Sequence, residues 1–296
     1  MRDSVNSLKF NHVIIVESLR PYDEKTGTQL HKFISELPSV RALEIPVSLE
    51  QITSSTHFHH LIREMVKSAR EDGLLPVLHV ECHGDDEELQ FTDGSTMSYI
   101  QLSRLLLQLN RATNLNVVAG FAACSGGFFL REMNLLRRCP VRLMVGPSDE
   151  IDYPTLLEGF KIFYQTMFDT VSIANAEKRL KAVPLHIGTW IVQTAEAWYF
   201  QVAGAHLIQQ CSKVALKERA AEVHRKKLLM PGGSGWSVQE TYRRMTIHTR
   251  RMLLDKYFRR FFMVNAVPSN EKRFEAAKHG VAHLMLKLRR KGTHAV

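Results

Sequence analysis

Cysteine is scarce in this chain, with four residues among 296. Cys82, Cys124, Cys139 and Cys211 form no CxxC pair and no regular framework, which excludes a disulfide-stapled scaffold and argues against structural zinc. No apolar run approaches the roughly 18 residues that a membrane-spanning helix needs. The opening residues, Met1 to Asn6, lack the apolar core of a signal peptide, so the expected location is cytoplasmic, with its thiols reduced. No internal repeat and no low-complexity tract is present.

What remains is ordinary in bulk and uneven in detail. Hydrophobic residues make up 45% and charged residues 23%, which is enough apolar surface for a sizeable core. The net charge of +9 is not spread evenly. Residues 1–184 carry 19 Lys and Arg against 23 Asp and Glu, whereas residues 185–296 carry 20 against 7. A net acidic first part and a strongly basic second part predict two regions, 1–184 and 185–296.

Hydrophobic periodicity gives the two regions different characters. In the first, short apolar runs at His12–Leu19, Val40–Val47, Leu74–Cys82, Leu115–Cys124 and Val141–Pro147 read as strands. Helical patterns fall between and after them, at Thr28–Leu37, Leu49–Asp72, Ser98–Asn110, Gly127–Arg138, Pro154–Asp169 and Ser172–Lys181. Near-continuous apolar strands alternating with helices predict an α/β fold whose mostly parallel sheet is covered on both faces. From His186 onward only helical periodicity is evident, over Thr189–Cys211, Lys213–Leu229, Val238–Phe262 and Asn270–Arg290. The predicted second region is therefore all-helical.

Two of the strands end in reactive side chains followed by glycine. One reads Val77-Leu78-His79-Val80-Glu81-Cys82-His83-Gly84. The other reads Val117-Val118-Ala119-Gly120-Phe121-Ala122-Ala123-Cys124-Ser125-Gly126-Gly127. In an open parallel sheet, sites form outside the carboxyl ends of the strands. A right-handed crossover through the helix at Ser98–Asn110 would leave these two strands parallel and adjacent, with His83 and Cys124 at one edge. A thiolate is the nucleophile in cysteine chemistry, and a following helix N-terminus favours that anion. An imidazole within reach can move the proton. The Gly84 and Cys124 amides can supply N–H donors to a tetrahedral intermediate. Cys82 and Cys139 read as core residues, and His79 as a core histidine with its hydrogen bonds satisfied.

The order of these strings carries a resemblance. Strand, His83-Gly84, the Leu89–Ser98 segment with its Asp93-Gly94 turn, helix, strand and Ala122-Ala123-Cys124-Ser125-Gly126-Gly127 resemble the caspase-like cysteine peptidases, nearest to the CHAT (caspase/separase-like) branch. The likeness covers about residues 10–184. It implies His83 as base, Cys124 as nucleophile, Gly84 and Cys124 N–H groups as oxyanion hole, and no cofactor or metal. Ala122 departs from metacaspase-type members, which carry an acidic residue two positions before the cysteine, and from caspases, which carry Gln there. The resemblance also places part of a substrate-binding pocket near Asp149, Glu150 and Asp152. Acidic residues there would favour Arg or Lys before the scissile bond. Arg20 and Lys25, after the first strand, would instead read an acidic group.

The expected activity is a regulated cysteine endopeptidase acting on a protein substrate, with an activating or inhibiting protein partner. By analogy with CHAT proteins its setting would be bacterial antiviral defence or programmed death. Two alternatives stay open. One is a non-catalytic interaction module that keeps the fold. The other is a nucleic-acid-binding regulator using the basic pairs of the helical region, although no recognised nucleic-acid motif is present.

Overall fold

Four of the five apolar runs of the first region become strands of one sheet in a computed structural model, which describes residues 8–123, 129, 136–182, 190–228 and 235–292. The fold is α/β, with a mostly parallel mixed sheet of eight strands, helices around it and a helical C-terminal region. In chain order the first unit contains β1 (His12–Ser18), α1 (Thr26–Glu36), α2 (Pro38–Ala42), β2 (Val47–Gln51), α3 (Ser55–Glu71), β3 (Pro76–Gly84), β4 (Glu88–Gln90), β5 (Thr96–Ser98), α4 (Tyr99–Ala112), β6 (Val118–Ala122), β7 (Leu143–Pro147), α5 (Tyr153–Thr170), α6 (Ile173–Ala182) and β8 (Trp190–Thr194).

The main sheet runs β2-β1-β3-β6-β7-β8. All neighbours are parallel except β7 and β8, which are antiparallel. β3 and β6 are adjacent, with Val77 opposite Val118 and Glu81 opposite Ala122. The β4–β5 hairpin pairs with the end of β3, His83 opposite Gln90 and Gly84 opposite Leu89. α4 then starts at a capping box in which the Ser98 hydroxyl accepts from the Gln101 N–H and the Gln101 side chain accepts from the Ser98 N–H.

Inner strands are apolar because both faces are covered. Val77, Leu78 and Val80 of β3, and Val118, Ala119 and Phe121 of β6, are buried. One side of the sheet is closed by α5, whose Phe160, Phe163, Tyr164, Met167 and Phe168 join a single apolar cluster with Leu30 and Ile34 of α1. Each such side chain contributes on the order of 2 kcal/mol when fully buried.

Three local expectations are corrected. Val40–Val47 is not a strand. Leu37 is extended, Pro38 takes the first helical position, and a five-residue helix, α2, buries Val40 before the chain enters β2. The helix expected from Leu49 begins only at Ser55, because Leu49–Gln51 belong to β2 and the Ser54 hydroxyl caps the helix through the His57 N–H. The third correction is β8, which occupies residues expected to be helical. It pairs with β7 and belongs to the first compact unit, which runs to Ala195. Most of the helix expected at Gly127–Arg138 lies outside the described residues.

The second unit comprises α7 (Ala195–Gln210), α8 (Lys213–Leu228), α9 (Val238–Arg251), a π-helical turn (Met252–Lys256), α10 (Tyr257–Phe261), α11 (Asn270–Arg273) and α12 (Glu275–Arg290). Its core is aromatic. Phe262 stacks on Phe274 at 4.4 Å between ring centroids, and Tyr199 meets Phe258, Phe261 and Phe262. The Tyr199 hydroxyl donates to the Leu253 carbonyl within the π-helical turn. Among the described residues no helix is long and apolar enough to cross a membrane.

Candidate active site

β3 stays regular to its end, so His79, Glu81 and His83 alternate onto one side of the strand. His79 and Glu81 are fully internal, and His83 emerges at the carboxyl edge. His79 and Glu81 belong to a closed polar network. The Glu81 carboxylate accepts from His79 Nε2–H at 3.0 Å and from the Thr26 hydroxyl at 2.5 Å. His79 Nδ1 then accepts from the Tyr164 hydroxyl at 3.1 Å. Glu17, directly opposite Glu81 on β1, accepts from the backbone and hydroxyl of Thr28. His79 is thus the satisfied core histidine expected from the sequence.

His83 has a partner that sequence reading missed. Its Nε2 lies 2.8 Å from Asp23 Oδ2, with the His83 side chain 28% exposed and the Asp23 side chain 8% exposed. Asp23 closes a tight turn after β1, in which its N–H donates to the Arg20 carbonyl and its Oδ2 accepts from the Arg20 N–H. Pro21 sits in the second position of that turn, where its fixed φ is suited. The ammonium of Lys25 ties the turn down by donating to the Leu19 and Arg20 carbonyls at 2.8 and 2.6 Å. Arg20 Nη2 reaches Gln90 Oε1 of β4 at 3.2 Å, linking the turn to the hairpin beside His83. Arg20 and Lys25 therefore build the loop that presents Asp23. With Nε2–H donated to Asp23, Nδ1 of His83 is the basic nitrogen.

Burial works to raise the Asp23 pKa. The His83 hydrogen bond, the Arg20 N–H and the charges of His83 and Arg20 outweigh it, and the carboxyl is held below its ordinary 3.8. A depressed carboxylate contributes stability that is fully present above the unfolded-state pKa and is lost as pH falls through the folded value. Wild type is therefore expected to lose more thermal stability than Asp23→Asn on acidification below about pH 4. Parallel pH profiles for the two proteins would contradict this.

Gly84 fits its place beside β6 because it lacks a side chain. A Cβ there would lie 3.1 Å from the Glu88 carbonyl oxygen and 3.3 Å from the Ala123 Cβ. The His83-Gly84 end of β3 is therefore held against the residue that precedes Cys124. Cys124 itself, proposed from the sequence as nucleophile and as oxyanion-hole N–H, lies outside the described residues. The other three cysteines are buried thiols. Burial, reinforced by the Glu81 charge, pushes the Cys82 thiol far up. Burial also raises Cys211 to about 11, against a smaller opposing pull from Arg219. The Cys139 S–H donates to the Val141 carbonyl at 2.9 Å. Buried thiols of this kind are poor nucleophiles.

The acidic residues after β7 separate into two kinds. Asp152 caps α5, its carboxylate accepting from the Thr155 N–H and hydroxyl, and these bonds lower its pKa. Asp149 accepts from the Ser148 hydroxyl, and both Asp149 and Glu150 are exposed. In the loop after Gly84, Asp85 forms a turn by accepting from the Glu87 and Glu88 N–H groups. Among the described residues no group of three or more His, Cys, Asp or Glu is arranged to hold a metal ion.

No protein-family model matches the chain, and no curated protein matches it.

Proposed function

We propose that the first unit is a caspase-like cysteine peptidase in which His83 is the base and Cys124 the nucleophile. The observation that carries this reading is the Asp23–His83 pair. It stands at the carboxyl edge of a parallel sheet, beside the strand that leads into Ala123 and Cys124. A carboxylate bound to one imidazole nitrogen fixes the ring's tautomer and orientation and stabilises the imidazolium formed when the other nitrogen takes a proton. That arrangement suits His83 to deprotonate a thiol and later to protonate a leaving amine. The Gly84 and Cys124 N–H groups are the proposed oxyanion donors, and no cofactor takes part. The proposed setting is cytoplasmic, with a protein substrate, a regulatory protein partner and a role in bacterial defence or programmed death.

Exposed Asp149 and Glu150 favour a basic residue before the scissile bond. Arg20 and Lys25 do not oppose this preference, since the one binds Gln90 and the other the loop carbonyls. A panel of fluorogenic peptides tests the proposal. Arginyl or lysyl peptides are expected to be cleaved faster than aspartyl ones, and Asp149→Asn/Glu150→Gln is expected to narrow the gap. Preferential cleavage of aspartyl peptides would overturn the preference, and failure to cleave any peptide or protein substrate would count against the activity.

A further inference from the structure

The second unit holds a cavity of about 710 Å³ between α8 and α9. It is a groove open to solvent, with a volume in the range of small-ligand sites. Five cationic side chains line it: Arg219, Lys227, Arg243, Arg244 and Arg251. They face one carboxylate, Glu240, which accepts from Arg243 and Arg244. The positive charge of the wall is therefore only partly compensated within the cavity.

The cations lie at the surface, and two of them are held against an aromatic ring. Lys227 Nζ lies over the Trp236 ring at 4.0 Å from its centroid, and Arg244 Cζ lies over it at 3.8 Å. Such contacts hold a flexible cation in place, and Lys227 makes no ion pair with Glu240. The rest of the lining mixes apolar Val223, Met245 and Ile247 with polar His248 and Thr249. Thr241 also borders the cavity, but its hydroxyl is buried beneath the wall.

The cavity suits a ligand that combines several negative charges with apolar surface. A nucleotide combines these properties: its phosphates match guanidinium donors, and its base suits the apolar residues. We propose that this cavity is a binding site for a free nucleotide, with Arg244, Arg251 and Lys227 on the phosphates and the base against the apolar residues. The proposal uses the second unit alone and does not depend on the peptidase reading.

Isothermal titration of the full chain with ADP tests it, with adenosine, pyrophosphate, a short single-stranded oligonucleotide and an acidic peptide as separate arms. ADP is expected to bind, and adenosine and pyrophosphate to bind more weakly. Arg244→Gln/Arg251→Gln is expected to weaken ADP about ten-fold or more, whereas Arg250→Gln, a neighbouring charge outside the lining, changes it less than about two-fold. No ADP binding at millimolar concentration would overturn the proposal. So would pyrophosphate binding as tightly as ADP, equal losses in Arg250→Gln and the double variant, or tighter binding of the oligonucleotide or acidic peptide.

Discussion

His83→Ala is expected to lower peptide hydrolysis by about 10³-fold or more while leaving the protein folded. The reasoning starts from the side chain's position. His83 stands at the end of β3 with its ring partly open to solvent, so its removal leaves no large cavity. The cost to the fold comes from Asp23, which loses one of two donors and keeps the Arg20 N–H. That loss is worth about 1–3 kcal/mol for a charge-assisted bond, less where water can replace the ring. The chemistry has no comparable substitute, because among the described residues no other imidazole is held at this sheet edge by a carboxylate. Initial rates and circular dichroism on the same preparation separate the two effects. Undiminished hydrolysis by a folded variant would remove His83 from the mechanism.

The second large effect falls on stability. Gly120→Ala is expected to cost about 3 kcal/mol or more. Gly120 lies opposite His79 in the β3–β6 register. A Cβ there would overlap the Tyr164 hydroxyl and lie 2.7 Å from His79 Nδ1, the two atoms that hydrogen-bond to each other. Both rings are fully buried, and Tyr164 is packed against Phe160, Phe163 and Phe168. Neither ring can move away without disturbing the α5–sheet core. Tyr164→Phe alone is expected to cost less, about 1–2 kcal/mol, since it deletes one hydroxyl and leaves His79 Nδ1 unpaired. Adding Tyr164→Phe to Gly120→Ala removes the nearest obstructing atom, so the double variant is expected to be more stable than the two separate costs imply. Urea unfolding of the four proteins measures this. Simple additivity would show that the obstruction is not at the hydroxyl.

Legibility in the sequence followed burial. β3, β6 and β7 were readable because inner parallel strands are covered on both faces and so appear as unbroken apolar runs. The adjacency of β3 and β6 followed from crossover handedness. Val40–Val47 misled because its apolar residues serve two elements: Val40 faces the core from a short helix that Pro38 starts, and Val47 opens β2. β8 was hidden because Trp190 to Thr194 runs without a breaker into the helix at Ala195. In the site, His83 was legible from its strand-end glycine. Asp23 was not, since a loop aspartate in an Arg-Pro-Tyr-Asp turn has no periodicity. The available signal was topological: the turn follows β1, whose carboxyl end neighbours that of β3. The acidic residues after β7 show the reverse case, for Asp152 has a helix-capping role that explains its presence without a substrate.

The most direct test of the central claim is covalent labelling by a peptide-based thiol-reactive probe with Arg or Lys in its leading position, with the modified residue located by peptide mass mapping. The expected result is a single adduct on Cys124, absent in Cys124→Ala and strongly reduced in His83→Ala. An adduct on Cys82, Cys139 or Cys211, or labelling of Cys124 that does not depend on His83, would contradict a His83–Cys124 peptidase.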